Sequence, residues 1–551
     1  MAFIAKKKTK YSTYYVIIEN ARINGQSKVV KQLYLGTAES LMKQLEDGGV
    51  REEPRQIDCL EYGSVAVLHK IAEELGIRDI INAEAGKRKQ GMTTGDYVLL
   101  AALNRAIGAT SKTKLAEWVD STGLHLLMKL DREAISSQHI WNHFDRLDAG
   151  AVDRISDAIS RKAATLEHLS MDCLVYDTTN YFNYWDVLTP SELARMTKSK
   201  AGRNSLRHIG LALAVDRDHG LPLFHRLYAA NQHDSTVFRD LMDAMFRQIS
   251  AIASDKKALT FVFDKGNNSE NSIHQIDESR HHFIGTRSPY HHRDLCNIDL
   301  SHYVEMEIPG AGYSLPVYET RIELYGQLRR ILVTYNIETC HRQEHRLEQN
   351  LERAKEELSF FKRKVKSVDG RSTIDSLRRE ADEILTQHHV PGLLDIDVTE
   401  EEGGYRVSAR KNFIAIEELK KRFGKQILFT NRESVPAADI VKFYIDRFIV
   451  EEAFRLTKSD SWCKWDPAFH WTDSKIRVHA LTCMISLLLV KIAHKRAREK
   501  GFTHGAERMM ELLSGVKTAM VFYPKSPKPT RMLCNISDEQ KKLLTALNIS
   551  N

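Results

Sequence analysis

The sequence predicts an α/β protein of several domains, in which a mixed sheet with flanking helices is interrupted by a largely helical insertion. Three observations support this prediction. The chain has 551 residues, which at about 150 residues per domain argues for three or four structural units. Four short apolar runs rich in β-branched or aromatic residues lie between residues 170 and 290, and helical periodicities precede and follow them. Hydrophobic residues make up 42% of the chain and charged residues 28%, which excludes collagen-like and wholly disordered classes.

Charge and cysteine usage narrow the class of protein further. The net charge of +7 permits a polyanionic partner without requiring one. The seven cysteines are scattered and never spaced as Cys-x-x-Cys, so neither a disulfide framework nor a cysteine zinc site is indicated. The first residues lack the apolar core of a signal peptide, and the longest apolar run, Leu481 to Val490, is shorter than the roughly 20 residues that span a bilayer. We therefore expect a cytoplasmic protein without a membrane partner.

The N-terminal head is predicted to be β-rich and basic. Alternating apolar residues over 11–36 flank the turn-like pair Asn24-Gly25, which is a good hairpin signal. Over residues 5–32 seven basic side chains accompany a single acid, Glu19. The resulting local charge of about +6 suits phosphate contact and a solvated tail equally.

The pattern turns helical after the head, and this helical domain could bind DNA. Its segment 134–147 begins with Ser136-Ser137 after a turn, as the second helix of a helix-turn-helix would. The same pattern fits many other helices, so a DNA-binding role for this segment is one reading among several.

The order of elements between residues 165 and 290 predicts the topology of the core. Three apolar runs, a helix and a fourth apolar run give the order β-β-β-α-β, which is the opening of an RNase H-like α/β domain. Beyond it, a 4-3-4-3-4 spacing of apolar residues from Leu347 to Val365 predicts a long helix, and Ile374 to Ile384 predicts a second. We interpret the pair as a helical hairpin inserted into the core, with a dimeric coiled coil as the alternative.

Six domains follow from these patterns. They are the basic head, the helical domain, the first part of the core, the insertion, the second part of the core with the helix that contains Glu451, and a basic C-terminal arm, over residues 1–58, 59–150, 165–290, 291–430, 431–500 and 501–551. Within the arm, residues 516–531 contain four cations, three prolines and no acid, so we expect an extended segment.

Two aspartates occupy equivalent places in the core. Asp177 ends the first apolar run, and Asp264 ends the fourth. A carboxylate at the last residue of each of two central strands projects from the same edge of a sheet. Either aspartate alone is more often a turn former, but their symmetry favours a shared site.

The segment Phe443 to Ser459 is predicted to be one helix by its apolar period of 3.6 residues. At 100° per residue, a polar stripe about 60° wide runs beside the apolar face and contains Tyr444, Arg447, Glu451 and Lys458. A solvent face with ion pairs between residues i and i+4 would explain the charges, but it would not explain the tyrosine.

These residues resemble a known family, the DDE transposases of bacterial insertion sequences, in the branch marked by Tyr-x2-Arg-x3-Glu-x6-Lys. Tyr444, Arg447, Glu451 and Lys458 fit that signature without a gap. The other matching motifs are YDTTNYF at 176–182, the run from Gly202 to Asp234, DKGNNSEN at 264–271, Phe469-His470-Trp471 and the helix from Ile476 to Val490. The stretch between the two parts resembles the insertion domain of this branch, although such insertions are often β-rich and this one reads as α-helical.

The resemblance implies that Asp177, Asp264 and Glu451 are the catalytic residues and bind two divalent metal ions. Mg²⁺ is the expected ion, with Mn²⁺ as a substitute, because hard cations prefer carboxylate oxygens. Without metal, three clustered carboxylates repel one another, and at least one should hold a proton near neutrality. Glu452 is the rival of Glu451, but it falls on the apolar side of the helix, so spacing favours Glu451.

The resemblance also implies DNA contacts beside the carboxylates. Arg447 and Lys458 would bind phosphates, and Tyr444 would add a hydroxyl or a stacking face. Further DNA-binding cations are predicted on the glutamate helix and in an acid-free basic run, namely Arg455, Lys198, Lys200 and Arg203.

The function implied by the resemblance is DNA transposition. The protein would bind the terminal inverted repeats of its own element, cleave there, and join the free 3′-hydroxyl to target DNA. The expected partners are double-stranded DNA and, in the synaptic complex, a second copy of the chain, in a nucleoid-associated location. Two alternatives stay open: a metal-dependent RNase H-like nuclease or resolvase that does not join, and a non-catalytic DNA-binding protein derived from a transposase.

Overall fold

A computed structural model describes most of the chain. The described residues are 2–9, 12–23, 26–46, 53–86, 91–184, 188–197, 205–252, 258–365, 373–401, 404–466, 468, 470, 472–524, 526 and 528–549. The chain divides into two compact units, one of Met1–Leu60 with Lys517–Asn535 and the other of Glu61–Val516 with Ile536–Asn551.

Strands and helices alternate along most of the described chain. The strands are β1 (Ala2–Lys8), β2 (Thr13–Ile23), β3 (Gln26–Gly36), β4 (Gln56–Glu61), β5 (Cys173–Asn183), β6 (Arg195–Met196), β7 (Arg207–Asp216), β8 (Pro222–Ala229), β9 (Thr260–Val262), β10 (His282–Arg287), β11 (Val304–Glu307), β12 (Ser314–Leu324), β13 (Gln327–Tyr335), β14 (Leu394–Glu401), β15 (Gly404–Lys411), β16 (Lys425–Thr430), β17 (Lys517–Phe522) and β18 (Thr530–Leu533). The helices are α1 (Ala38–Glu46), α2 (Gly63–Leu75), α3 (Ile77–Ala85), α4 (Thr94–Ile107), α5 (Leu115–Asp120), α6 (Ser137–Phe144), α7 (Ala149–Leu166), α8 (Asp234–Ile252), α9 (Glu270–Asp277), α10 (Arg293–Cys296), α11 (Ile337–Val365), α12 (Ile374–Gln387), α13 (Phe413–Lys420), α14 (Ala437–Ile445), α15 (Phe448–Thr457), α16 (Asp473–Glu499), α17 (Ala506–Ser514) and α18 (Asp538–Ala546).

The smaller unit contains two antiparallel arrangements of strands. Strands β1, β2 and β3 form a sheet in that order, and β18 and β17 pair with each other. The predicted N-terminal hairpin is confirmed by the pairing of β2 with β3, while Asn24-Gly25 lies outside the described residues.

The predicted extended arm at the C-terminus is wrong. Residues 517–522 and 530–533 are strands, and β17 lies between β18 and β4 in one sheet. In β17 the side chains of Thr518, Met520 and Val521 are buried, so this segment has an inward face that a free arm would not need. Prolines 524 and 529 fall in the connection between the strands, where they interrupt no ladder.

The larger unit is built on a mixed central sheet of ten strands. Its order is β11-β12-β13-β16-β10-β9-β5-β7-β6, with β8 paired to β7. Strands β5, β9 and β10 run parallel to one another, and β7 and β8 continue from β5 as an antiparallel meander. The predicted order β-β-β-α-β is confirmed by β5, β7, β8, α8 and β9. Helix α8 packs its apolar face on this sheet, where Phe238, Met242 and Met245 are buried with Phe261 and Phe263.

The segment predicted as a largely helical insertion, residues 291–430, is less than half helical over its described residues. Strands β11, β12, β13 and β16 extend the central sheet in antiparallel fashion, and β14 pairs with β15 in a separate hairpin. Among these added strands, β12 alternates more and less buried side chains over a short distance, which gives a weaker sequence signal than a long helix does. Their placement beside β10 depends on pairing partners far away in sequence.

The helical part of that segment forms as predicted. The apolar positions of α11 from Leu347 to Val365 are buried, as are Leu377 and Ala381 of α12. Their cover comes from the same chain, because Val398 of β14 and Val407 of β15 belong to the same core. Packing within the chain therefore accounts for the seam, and no dimeric coiled coil is needed to bury it.

The predicted helix-turn-helix is not formed. Helix α6 starts after Ser136, whose hydroxyl accepts a hydrogen bond from the backbone N–H of His139 at 3.2 Å. Residues 121–136 separate α5 from α6, whereas a helix-turn-helix has a turn of three or four residues. Ile140 and Phe144 instead bury one side of α6 in the protein core.

One described helix, α16, has the length and composition of a membrane span. Its most apolar 18-residue window is 94% buried inside the protein. Such burial is typical of a core helix, and length and composition by themselves are weak evidence for a membrane.

Candidate active site

The register of the central sheet brings Asp177 and Asp264 to equivalent positions. In the parallel ladder between β5 and β9, the last paired residues are Val175 and Val262, and each aspartate lies two residues further on. Side chains alternate along a strand and neighbouring strands lie about 4.8 Å apart, so both carboxylates leave the sheet side by side on one face. The two predicted site aspartates thus occupy equivalent register positions, and their catalytic role stays a prediction.

The reason given for Asp177 needs correction. Strand β5 does not end there, because it continues to Asn183 and pairs with β7 throughout, with Asp177 opposite Leu213. Only the ladder with β9 stops before the aspartate.

Asp264 is oriented by two hydroxyl groups. Its Oδ1 accepts a hydrogen bond from Thr286 Oγ1 at 3.2 Å and a longer one from the Tyr444 hydroxyl at 3.4 Å. Burial raises the pKa of Tyr444 to about 12, so this phenol is protonated at neutral pH and is able to donate. The sequence did not indicate Thr286, because its role depends on the pairing of β10 with β9.

The predicted single helix over 443–459 is two helices. Helix α14 ends at Ile445 and α15 begins at Phe448, with Asp446 and Arg447 between them. The backbone stays right-handed there, but Ile449 and Val450 donate to carbonyls three residues back and not four, as in a 3₁₀ turn. The break changes the angular positions that an ideal helix assigns to the signature residues.

Arg447 connects two of the three predicted carboxylates. Its Nη1 lies 3.7 Å from Asp264 Oδ2 and 3.5 Å from Glu451 Oε1. The guanidinium also stacks on the Tyr444 ring, with its central carbon 4.9 Å from the ring centroid. A single cation therefore offsets the charge of carboxylates from a strand end and from a helix that are 187 positions apart in sequence.

The far end of α15 is fixed on β5 beside Asp177. Lys458 donates from Nζ to the hydroxyl of Thr179 and lies 5.4 Å from the centroid of the Tyr181 ring. Tyr181 and Thr457 share a hydrogen bond between their hydroxyl groups. Because Thr179 and Tyr181 point to the same side of β5 as Asp177, α15 runs across the face that carries the two aspartates.

The two glutamates at the start of α15 have different surroundings. Glu451 is exposed and faces Arg447, whereas Glu452 Oε1 lies 3.1 Å from Nζ of Lys491, a lysine whose side chain is only 1% exposed. Glu452 therefore neutralises a buried charge on α16, and Glu451 is the one that remains available beside the aspartates. The assignment of Glu451 as the catalytic glutamate stays a prediction.

Arg455 points away from the carboxylates. Its Nη1 lies 3.0 Å from Glu507 Oε1 on α17. The basic-run residues Lys198, Lys200 and Arg203 lie outside the described residues. The structure thus gathers Tyr444, Arg447 and Lys458 near the aspartates but leaves these four predicted DNA contacts without such support.

The donor set suits a hard divalent cation, although its present arrangement is not that of a metal site. Among the described residues, no group of three or more His, Cys, Asp or Glu side chains is close enough to hold a metal ion. Beside Asp264, however, the amide oxygens of Asn267 and Asn268 are buried without a hydrogen-bond partner in the described part of the chain. Carboxylate and amide oxygens are the ligands that Mg²⁺ prefers, so the residues fit the ion once Arg447 moves from between Asp264 and Glu451.

A cationic cleft of about 570 Å³ opens next to Asp264. The basic residues among its described lining are Lys265, Arg287, Arg422, Lys425 and Arg447, and aromatic rings of Tyr290, Tyr313, Phe423 and Tyr444 stand among them. Asp264 is the one carboxylate among the described residues that line it. Sequence analysis missed most of these cations because they come from β10, β16 and the loops before them, each with an unremarkable local pattern.

One of these cations, Lys425, is half-buried and hydrogen-bonded to the backbone. Lys425 Nζ donates to the backbone carbonyls of Cys296 at 2.7 Å and Ile298 at 3.0 Å. Desolvation lowers the pKa of Lys425 below its ordinary value. Arg287 donates from Nη1 to the Tyr325 hydroxyl at 2.6 Å, so hydrogen bonds fix two of the cations in the wall of the cleft.

Comparison with known proteins gives a family. The family model described as "Transposase DDE domain" matches residues 186–489, which is more than half of the chain and includes Asp264 and Glu451 but not Asp177. Among solved structures, the chain is similar to the cryo-EM structure of a piggyBac transposase synaptic complex with hairpin DNA, with 10% sequence identity over 83% of this chain and 82% of that chain and a TM-score of 0.34. A likeness at that score supports no argument about this chain. None of the curated proteins compared with the sequence matches it significantly.

Proposed function

The chain belongs to the family of transposases with a DDE domain, and on that premise we propose that it is a DNA transposase that cleaves and joins DNA strands with divalent metal ions. The observation that carries the proposal is the convergence of three distant acids. Asp177 and Asp264 share a register position, and Arg447 links Asp264 to Glu451. Further support for an RNase H-like core comes from the strand order β8-β7-β5-β9-β10, with β5, β9 and β10 parallel.

The three acids would hold two divalent ions, Mg²⁺ or Mn²⁺. Bound metal would activate the attacking oxygen and stabilise the leaving oxygen of an in-line phosphoryl transfer. The chain's own residues orient this centre: Thr286 and Tyr444 donate to one oxygen of Asp264, and the turn at Arg447 presents Glu451 on the first turn of α15. Because its pKa is raised to about 12, the phenol of Tyr444 keeps its proton at neutral pH, so we assign it positioning and no proton transfer.

DNA would follow the cationic cleft to the carboxylates. Its lysines and arginines offer phosphate contacts, as Arg447 and Lys458 do at the two ends of α15. Arg447 would exchange its carboxylate partners for a phosphate as DNA arrives, which frees Asp264 and Glu451 for metal. The proposed substrates are the terminal inverted repeats of the element that encodes the chain and a target duplex.

The remaining parts of the proposal concern the biological setting. We place the protein in the insertion-sequence branch that has the Tyr-x2-Arg-x3-Glu-x6-Lys signature, which Tyr444 to Lys458 fits. We propose that a homodimer holds two DNA ends in the synaptic complex and that the protein acts in the bacterial cytoplasm at the nucleoid. The dimer is inferred from the requirement that two ends of one element react together, and the location from the scattered cysteines and the resemblance to transposases of bacterial insertion sequences.

The deciding experiment is an assay of cutting and joining. The full chain is incubated with Mg²⁺, a linear duplex that carries the DNA flanking its coding region, and a supercoiled plasmid. We expect nicks at the repeat ends and covalently joined plasmid products, both lost on Asp264→Asn and on chelation with EDTA. Asp240→Asn, an exposed aspartate on α8 that pairs with its neighbour Arg239, is the matched control and should keep both activities.

Each alternative function predicts a different result. Nicking without any joined product would indicate a nuclease or resolvase. Binding of the duplex without cleavage, or an Asp264→Asn variant with the activity of the parent chain, would indicate a non-catalytic DNA-binding protein and contradict the proposal.

A further inference from the structure

The register of the N-terminal sheet separates its basic residues between two faces. Opposite partners in an antiparallel pair point to the same side. On one side of the sheet lie four lysines, two from each edge strand: Lys6 and Lys8 of β1, opposite Tyr15 and Thr13, and Lys28 and Lys31 of β3, opposite Ala21 and Glu19. We call this side the lysine face. The other side carries Lys7 and Arg22.

The middle of the lysine face is apolar and open. Ile4, Ile17 and Leu33 lie in one row across the three strands. Ile4 is 64% exposed and Leu33 is 54% exposed. The row stands between the two lysine pairs, which occupy diagonally opposite corners about 20 Å apart at roughly 3.4 Å per residue.

The lysines of this face are exposed and have no acidic partner among the described residues. No described residue forms an ion pair with Lys6, Lys8, Lys28 or Lys31, and Glu19 is the one acid on the lysine face. An excess of like charge at such density is unfavourable without a counter-charge, so the face is suited to a polyanion.

The charge pattern favours one of two partners that could bind an exposed apolar sheet face, a second copy of the chain or duplex DNA. A second copy of the chain, meeting face to face, would place four lysines against four lysines. Duplex DNA presents phosphates on both sides of a major groove about 12 Å wide, and its floor offers thymine methyl groups for apolar contact. The two lysine pairs, about 20 Å apart along the strands, can therefore reach the two phosphate backbones while Ile17 faces the groove.

We propose that the lysine face binds double-stranded DNA in the major groove and supplies a contact separate from the carboxylate site. The proposal rests on the proposed function in one respect, because it takes the ends of the element as the natural duplex. Independently of that function, we expect the lysine face, and not the opposite face of the same sheet, to contact the phosphates.

The test compares two pairs of substitutions that remove equal charge from opposite faces. Lys6→Gln with Lys31→Gln alters the lysine face, and Lys7→Gln with Arg22→Gln alters the other face. The full-length variants are titrated against fluorescein-labelled duplexes from each flank of the coding region, in EDTA, over a range of salt concentrations. Binding is thus measured without metal, so its outcome does not depend on whether the chain cleaves or joins DNA.

We expect the lysine-face variant to bind DNA more weakly and to show a smaller dependence of DNA affinity on salt concentration. Each lost phosphate contact reduces the slope of log K against log salt by about 0.9, so two contacts reduce it by about 1.8 and lower affinity roughly 10- to 60-fold at 0.1 M salt. The other variant should stay within about twofold of the parent chain. Circular dichroism with thermal melting verifies that each variant folds. If the double variant of the lysine face does not fold, the single variant Lys31→Gln replaces it, and half the change in slope is expected.

Several outcomes would overturn the assignment. Equal losses in the two variants would mean that only net charge matters, and no loss in either would exclude the face as a DNA contact. A parent chain that binds none of the duplexes would also exclude it. A lysine-face variant with unchanged DNA affinity but altered mass in light scattering would assign the face to self-association. By contrast, a chain that shows the expected binding pattern but no metal-dependent cleavage would contradict the proposed function and leave this inference standing.

Discussion

Arg447 stands where a divalent ion would need to bind, and its replacement by glutamine tests the site directly. The guanidinium lies 3.7 Å from Asp264 and 3.5 Å from Glu451, so it satisfies the oxygens that the metal would use. Glutamine keeps a polar side chain at this position and removes the charge. We expect Arg447→Gln to bind Mn²⁺ more tightly than the parent chain when DNA is absent.

The size of the effect follows from the exposure of the groups. The side chains of Arg447, Asp264 and Glu451 are 30%, 39% and 56% exposed, so water screens their interactions strongly. Exposed ion pairs contribute about 0.2–1 kcal/mol each. A divalent ion about 4 Å from a guanidinium is repelled by about 2 kcal/mol at the dielectric constant of water. Loss of the arginine should therefore favour metal by about 1–2 kcal/mol, or roughly 5- to 30-fold in affinity.

The assay is a titration of the DNA-free chain with Mn²⁺, in which electron paramagnetic resonance reports the free ion. Arg455→Gln is the matched control, since Arg455 lies on the same helix but pairs with Glu507. It should leave Mn²⁺ affinity unchanged, and Asp264→Asn should weaken it. If Arg447→Gln binds Mn²⁺ no more tightly than the parent chain, the guanidinium does not compete with metal and this reading of the site is wrong.

Three other predictions concern stability as well as activity. Glu452→Gln should lower the free energy of unfolding in urea by about 1–3 kcal/mol, because it leaves the buried Lys491 on α16 without its counter-charge. Glu451→Gln, at an exposed position, should change the free energy of unfolding by less than about 0.5 kcal/mol and should abolish DNA cleavage. Gly220→Ala should cost about 1–2 kcal/mol, because the backbone has φ +72° and the new Cβ would lie 2.9 Å from a side chain of α15; Gly505→Ala, with open space, is its control in a thermal melt. Burial lowers the pKa of His225 to about 3, so below pH 6.5 the unfolded chain binds a proton that the folded chain does not. This group should therefore lower the free energy of unfolding by about 1.4 kcal/mol between pH 7.5 and pH 5.5. His225→Gln should remove that part of the difference between urea titrations at the two pH values, and an unchanged difference would contradict the prediction.

Much of the core was predictable because its signals are local. The order of β5, β7, β8, α8 and β9 follows from runs of apolar residues and the turns between them. The seam of α11 follows from spacing along one helix. The family could also be predicted, since the signature from Tyr444 to Lys458 lies within one short segment, and the match to the transposase DDE domain confirms it. The insertion-sequence branch stays a prediction.

Elements that depend on distant partners were not predictable. Strands β11 to β13 and β17 have short alternating patterns whose meaning is settled only by the strand that pairs with them. The break before α15 is equally invisible in the apolar period, because 3₁₀ and α-helical turns place neighbouring apolar residues on nearly the same side.

The sequence by itself determined which residue types the site contains and the spacing that singles out Glu451 over Glu452. Only the tertiary structure decided how they meet: the ladder between β5 and β9 sets the two aspartates side by side, and Arg447 joins one of them to Glu451. The physical reason is the separation along the chain of the residues that interact. Periodicity reports on neighbours within a few residues, whereas the distance between carboxylates on β5, after β9 and on α15 is fixed by strand register and helix packing among segments far apart in the chain.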